Sequence, residues 1–351
     1  MYPRLIIDTD KIKHNTRTIV QMSKENSIDV YAVTKVYCGY PKVAMASLEG
    51  GAKGLADSRI ENLVKLKDLN SEKILLRLPM ISEAEKVVEY ADISLNSELG
   101  TIKALGLAAA NQKKVHKIIL MIDLGDLREG ILPEDVDETV EQILKVEGIL
   151  LHGIGVNLTC YGGVIPDEDN LGQLNEIAMH IEEKFSIKLD IVSGGNSSSI
   201  YMLEKGLPNR INNLRIGEAI VLGRETKDGD RIKNTYDDAF VLEAEIIELK
   251  EKDSLPKGTI GMDAFGNKPT FTDKGRMLRA IVAIGRQDVN PSNLIPYDEN
   301  IEIIGASSDH MIIDVTRSSE EYHVSGIIRF KMEYGALLPL CTSEYVDKEI
   351  R

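Results

Sequence analysis

Three short segments hold residue types that can do chemistry together. The first is VYAVTK, an apolar run that ends on Lys35. An amine held at the end of such a run can add to an aldehyde and form an imine. Taken alone, a lysine after a strand is more often a solvated surface residue. The second is SGGNSSS, from Ser193 to Ser199, rich in glycine and hydroxyl groups. Its backbone N–H groups, with the positive end of a following helix, can cradle a phosphate. A tight turn with an N-capping serine accounts for the same letters. The third is LRIGEAIVLG, with Arg215 two residues before Gly217. A guanidinium there can hydrogen-bond a pyridine nitrogen or a phosphate.

The elements around these segments alternate. VYAVTK, KGLADS, KILLRLP, DISLNS, KIILMIDL, ILLHGIGVNL, LDIVSGGNS and LRIGEAIVLG read as eight strands. Each but the last is followed by a helix-like run, as in PKVAMASLEGG and DNLGQLNEIAMHIEEKF. Strands rich in Ile, Leu and Val, separated by helices, predict a parallel sheet buried on both faces. Eight such units predict a closed (β/α)8 barrel over residues 10–225, with chemistry at the C-terminal strand ends. Lys35, Asp57, Asn96, Asp123, Arg128, Asn157, Ser197 and Arg215 all fall at or after those ends.

After Gly223 the texture changes. FVLEAEIIEL, GMDAFG, MLRAIVAIGR, NIEIIGAS, HMIIDVT, YHVSGIIRFKM and ALLPLCTS are short apolar runs without intervening helices. They predict an all-β domain over residues 226–351. The opening run RLIID, within residues 1–9, is expected to pair into it.

Composition narrows the function. Apolar residues make up 43% and charged residues 28%, a globular balance. A net charge of −14 argues against nucleic acid, which needs clustered Lys and Arg. No uncharged apolar stretch reaches the roughly 20 residues of a membrane span. The start has no signal-peptide pattern. Cys38, Cys160 and Cys341 are neither a disulfide framework nor a metal motif, so a cytoplasmic location is expected.

In order and spacing the three segments resemble the alanine racemase-like family of pyridoxal-phosphate enzymes. YAVTKVY resembles that family's cofactor-lysine segment, GGNSS its phosphate loop, LRIGEAIVLG its Arg-x-Gly strand and DLGDLREG its fifth-strand segment. GVNLTCYGG, SGGNSSS and GASSDHMIID are most similar to the ornithine racemase branch. The resemblance implies pyridoxal 5′-phosphate carried by Lys35. It implies a phosphate held by Asn196, Ser197 and the Gly217 and Glu218 backbones, with Arg215 on the pyridine nitrogen. It also implies that Arg128 positions the lysine or the substrate carboxylate, and that the enzyme is a homodimer sharing its active sites.

Three positions depart from the family pattern. Gly39 stands where the family's cofactor-contacting Tyr usually lies, flanked by Tyr37 and Tyr40. Asn157 replaces a His on the sixth strand, and Met262 replaces the Tyr that acts as the opposing base. A second base must therefore come from elsewhere; His310 is the first choice and Cys341 the second. GASSD resembles a partner-chain loop of ornithine decarboxylase, which puts Ser308 and Asp309 near a substrate ammonium. A free basic amino acid is the expected substrate, and decarboxylation is the alternative to racemisation. A metal-dependent aldolase is disfavoured, because Met311 and Ile312 after His310 are poor ligands for hard cations.

Overall fold

The computed structural model describes residues 1–263 and 265–351. The chain divides into two compact units, Thr9–Tyr236 and a second that joins Met1–Asp8 to Asp237–Arg351. The first unit runs some ten residues beyond the expected barrel end because residues 226–236 fold back onto it. Ile232 N–H bonds Gly223 C=O at 2.8 Å. The buried Asn15 amide clamps Tyr236, donating to its C=O at 2.8 Å and accepting from its N–H at 2.7 Å.

The first unit is a closed parallel barrel. Its strands are β2 (Asp29–Val33), β3 (Gly54–Asp57), β4 (Glu72–Leu75), β5 (Ile93–Asn96), β6 (His116–Met121), β7 (Ile149–Gly155), β8 (Ile191–Ser193) and β9 (Asn213–Ile216). They pair in chain order, and β9 closes on β2 with Asp29 opposite Asn213 and Ala32 opposite Ile216. The interior packs Val33, Ala56, Ile74, Leu95, Ile119, Met121 and Ile191. Full burial of such aliphatic side chains contributes roughly 1.5–3 kcal/mol each. Near the strand starts, Glu72 accepts from the Tyr31 hydroxyl and from Lys117 Nζ at 3.1 Å. Burial works to raise the Glu72 pKa, but these two donors outweigh it and hold the carboxyl below its usual range.

The surrounding helices are α1 (Thr9–Lys24), α2 (Pro41–Glu49), α3 (Ile60–Lys65), α4 (Ala84–Tyr90), α5 (Leu99–Asn111), α6 (Val136–Ile143), α7 (Glu168–Phe185) and α8 (Glu218–Leu222). A 3₁₀ turn over Ser197–Glu204 follows β8. The run LRIGEAIVLG is a strand only through Ile216. Gly217 caps the short helix α8, so the last strand too is followed by a helix.

The second unit is a β-domain with one helix. β10 (Phe240–Asp253) is its spine, flanked by β1 (Arg4–Ile7), β11 (Arg276–Val282) and β15 (Ile327–Met332), all antiparallel to it. β12 (Leu294–Pro296) adds to β15, and β14 (Met311–Asp314) and β13 (Glu302–Ala306) extend the sheet beyond β11. RLIID pairs as expected, and β1 also runs parallel to β16 (Asp347–Ile350). Arg4 fixes that register, bonding Glu243 and Glu349 at 2.7 Å each.

Two runs expected as strands are not. ALLPLCTS lies in helix α9 (Tyr334–Thr342). The described part of GMDAFG is loop, with Met262 80% exposed; Ala264 lies outside the described residues. Among the described residues no helix is long and apolar enough to cross a membrane. None of Cys38, Cys160 and Cys341 is joined in a disulfide.

Candidate active site

Closure of β9 on β2 brings the sequence segments together. Val33 ends β2, Thr34 follows, and Lys35 opens a 3₁₀ turn over Lys35–Tyr37. Gly217, just past β9, packs its backbone on Val33, since an added Cβ would lie 3.2 Å from Val33 Cβ. The glycine loop after β8 is the next neighbour, with Arg215 N–H bonding Gly195 C=O at 3.0 Å. Lys35 is exposed at this end of the barrel.

The departure at Gly39 has a steric cause. Its φ is +62°, and a Cβ there would meet Asn62 Cβ at 2.8 Å. A tyrosine cannot occupy that position without moving α3. Of the flanking rings, Tyr37 is fully buried and Tyr40 is half-buried. Burial pushes the Tyr37 hydroxyl pKa up.

Asp57, which ends β3, is fully buried. It accepts from Thr34 Oγ1 at 2.5 Å, from Arg59 N–H at 2.8 Å and from Asn62 Nδ2 at 3.0 Å. Burial pushes its pKa up, while the three donors and the charge on Lys35 work against that.

The glycine- and serine-rich loop after β8 has the features a phosphate cradle needs. Gly195 has φ +110°, where an added Cβ would meet Ser199 Oγ at 2.9 Å. Asn196 caps the turn by accepting from Ser198 N–H at 2.9 Å. Ser197 Oγ accepts from Ala219 N–H at 3.3 Å, which sets the start of α8 beside the start of the 3₁₀ turn. First-turn N–H groups lack partners within their own helix. Ser198 Oγ is buried with no hydrogen-bond partner, although such groups are normally satisfied.

Arg215 is 2% exposed and fixed at several points. It donates to Ser193 Oγ, to Val156 C=O at 2.8 Å and to Asn157 Oδ1 at 2.7 Å. Burial pushes its pKa down to about 10; the nearby Glu129 carboxylate opposes that. Asn157 Nδ2 donates to Glu129 Oε1, and Glu129 also accepts from Arg128 Nε and Nη2. Arg128 is therefore half ion-paired, and the pairing raises its pKa. Cys160 lies in the same group, accepting from Asn196 Nδ2 at 3.4 Å. Buried Asp126 ties the two loops together by accepting from Tyr161 N–H at 3.0 Å and Val164 N–H at 3.2 Å.

The remaining expected residues lie in the β-domain. Ser308, Asp309 and His310 form an exposed turn between β13 and β14, closed by Ser307 N–H on His310 C=O at 2.9 Å. Asp309 Oδ1 pairs with His310 Nδ1 at 2.9 Å and accepts from Ser308 Oγ at 3.2 Å. The His310 pairing holds the Asp309 carboxyl below its usual range. Cys341 is 2% exposed in α9 among Ala336, Leu337 and Leu340. That burial favours the exposed His310 over Cys341 as the second base.

Sequence reasoning missed Glu129 and the buried role of Asp57. The pair Arg128-Glu129 was the available signal for the first. Among the described residues no group of three or more His, Cys, Asp or Glu is arranged for a metal ion. The donor set fits pyridoxal phosphate instead. It offers an amine at a strand end, a hydroxyl and N–H cradle with one unsatisfied oxygen, and a pinned guanidinium.

A parallel barrel with a lysine just past its first strand and a separate β-domain defines the class. The family model for the alanine racemase N-terminal domain matches residues 7–225, and the chain belongs to that family. Ornithine racemase of Acetoanaerobium sticklandii is 52% identical over 352 residues, covering 100% of both chains. Lysine racemase of Thermotoga maritima is 41% identical, covering 99% of this chain and 98% of that one. Among solved structures, alanine racemase from Bartonella henselae with covalently bound pyridoxal phosphate superposes with a TM-score of 0.75. The two are 17% identical, and the match covers 99% of each chain.

Proposed function

We propose that this protein is a pyridoxal-phosphate-dependent racemase that interconverts L- and D-ornithine by moving a proton at Cα. Both full-length relatives are racemases of basic amino acids, and the chain is an enzyme of that kind. The observation that carries the reading is the convergence of Lys35, Ser197 and Gly217 at adjoining ends of β2, β8 and β9.

When bound, the cofactor supplies an electron sink that makes the substrate Cα proton removable. Lys35 anchors the cofactor, and its Nζ then takes or returns that proton on one face. Asn196, Ser197 and the Gly217 and Glu218 backbones hold the phosphate. Arg215, kept in place by Ser193, Val156 and Asn157, faces the ring nitrogen. Arg128 receives the substrate carboxylate.

His310 serves the opposite face, contributed by a second copy of the chain in a homodimer. A histidine suits proton transfer near neutral pH. Ser308 and Asp309, in the same exposed turn, meet the side-chain ammonium. A dimer with each barrel mouth covered excludes water from the reacting carbon. Three cysteines outside any disulfide accord with a cytoplasmic protein.

Lys35→Ala tests the reading. The variant is expected to lose the visible absorbance of the bound cofactor and to racemise ornithine more slowly by orders of magnitude. Wild-type turnover in that variant would end it.

A further inference from the structure

One carboxylate at the barrel mouth has no task in that scheme. The Glu129 side chain is only 12% exposed, and it joins two guanidiniums. Arg128 donates to it directly through Nε and Nη2. Arg215 reaches it through one amide, because Asn157 accepts from Arg215 Nη2 at 2.7 Å and donates to Glu129 Oε1. An amide has one accepting and one donating end, so only one orientation of Asn157 satisfies both neighbours. The carboxylate occupies Nε and Nη2 of Arg128 and leaves Nη1 for another acceptor. A residue with no acceptor at position 129 would strand the Asn157 donor, and any neutral residue would leave two guanidiniums without their shared counter-charge. Burial already disfavours the charged form of Arg215, and Glu129 is the first charge that opposes this.

We propose that Glu129 is a positioning residue that sets Arg215 toward the cofactor ring, through Asn157, and Arg128 toward the substrate carboxylate. This rests on the racemase reading above. It adds a link between the ring-facing and carboxylate-facing groups, which makes cofactor affinity and substrate affinity depend on one side chain.

The test uses the full-length protein, with pyridoxal phosphate titrated by fluorescence in the absence of substrate, alongside ornithine kinetics. Glu129→Gln keeps the side-chain shape but cannot accept from all its donors. It is expected to melt within a few degrees of wild type, to bind pyridoxal phosphate about tenfold more weakly and to raise KM for ornithine about tenfold. Each tenfold is the loss of about one charge-assisted hydrogen bond. Asn157→Ala cuts only the Arg215 branch, so it weakens cofactor binding to a similar degree while KM stays within about threefold of wild type. The double variant binds the cofactor no more weakly than Glu129→Gln alone, because both changes break one chain. Glu129→Asp restores part of the cofactor affinity.

Wild-type cofactor affinity in Glu129→Gln, or losses that multiply in the double variant, would overturn the proposal. If Glu129→Gln does not fold, unchanged affinity in Asn157→Ala overturns it equally. A wild-type protein that binds the cofactor but does not racemise ornithine refutes the parent reading instead. The substrate-free titration separates the two failures.

Discussion

Asp57 allows charge and hydrogen bonding to be separated beside Lys35, the proposed cofactor lysine. Its carboxylate is fully buried and accepts three hydrogen bonds, one of them from the hydroxyl of Thr34, the residue before Lys35. Asp57→Ala removes the acceptor of the Arg59 N–H and of the buried Asn62 Nδ2. At about 1–3 kcal/mol for each stranded donor, plus the lost packing, the cost is about 3–5 kcal/mol. Asp57→Asn behaves differently. Its Oδ1 still accepts from both N–H donors, and the Thr34 hydroxyl can rotate to accept from Nδ2. Losing a buried charge offsets what remains, so stability should stay within about 1 kcal/mol of wild type. What Asn cannot supply is the negative charge that interacts with Lys35. In the proposed scheme Lys35 takes the Cα proton with the Asp57 charge nearby. Losing that charge is expected to lower kcat by up to about tenfold. Urea unfolding and ornithine kinetics on both variants decide the matter. Full activity in Asp57→Asn, or instability equal to that of Asp57→Ala, would refute the reasoning.

Two other perturbations follow from the same geometry. His310→Asn should keep cofactor binding and suppress inversion. Asp309→Asn should cut kcat/KM for ornithine by roughly tenfold to several hundredfold with little loss on alanine; equal loss on both would assign Asp309 to orienting His310, its partner at 2.9 Å. Buried His116, bonded to Ser94 Oγ at 2.8 Å, has its pKa pushed down to about 4 by burial, below the ordinary value near 6.5. Because the folded value is depressed, stability is present above about pH 6.5 and is lost as pH falls through about 4. The loss totals about 3 kcal/mol. Urea midpoints at pH 7 and pH 4.5 should therefore differ more in wild type than in His116→Gln, and an equal drop in both would contradict this assignment.

The barrel was legible because its strands are short apolar runs spaced by helices, a pattern set by burial on both faces. Where an apolar run is too short to show a period, the reading failed. LRIGEAIVLG contains both a strand and a helix, and only the Gly217 cap marks the join. ALLPLCTS reads as a strand because it is a short apolar run, yet all of it but Ser343 lies in α9, Pro339 included. Site residues at strand ends, such as Lys35, Ser197 and Arg215, could be picked out by position. Glu129 was marked only by its place beside Arg128, and its amide partner, Asn157, lies on another loop. Asp57 looked like a strand-ending polar residue, and only burial distinguishes it from a solvated cap. The Gly39 departure was visible as a letter, but its cause, contact with Asn62, needed coordinates.

The most direct test of the central claim is to incubate the pyridoxal-phosphate-loaded protein with L-ornithine and follow optical rotation and released CO2 together. Rotation falling to zero with no CO2, and much faster than with L-alanine, is the predicted result. Stoichiometric CO2 release, or a preference for alanine, would contradict the account.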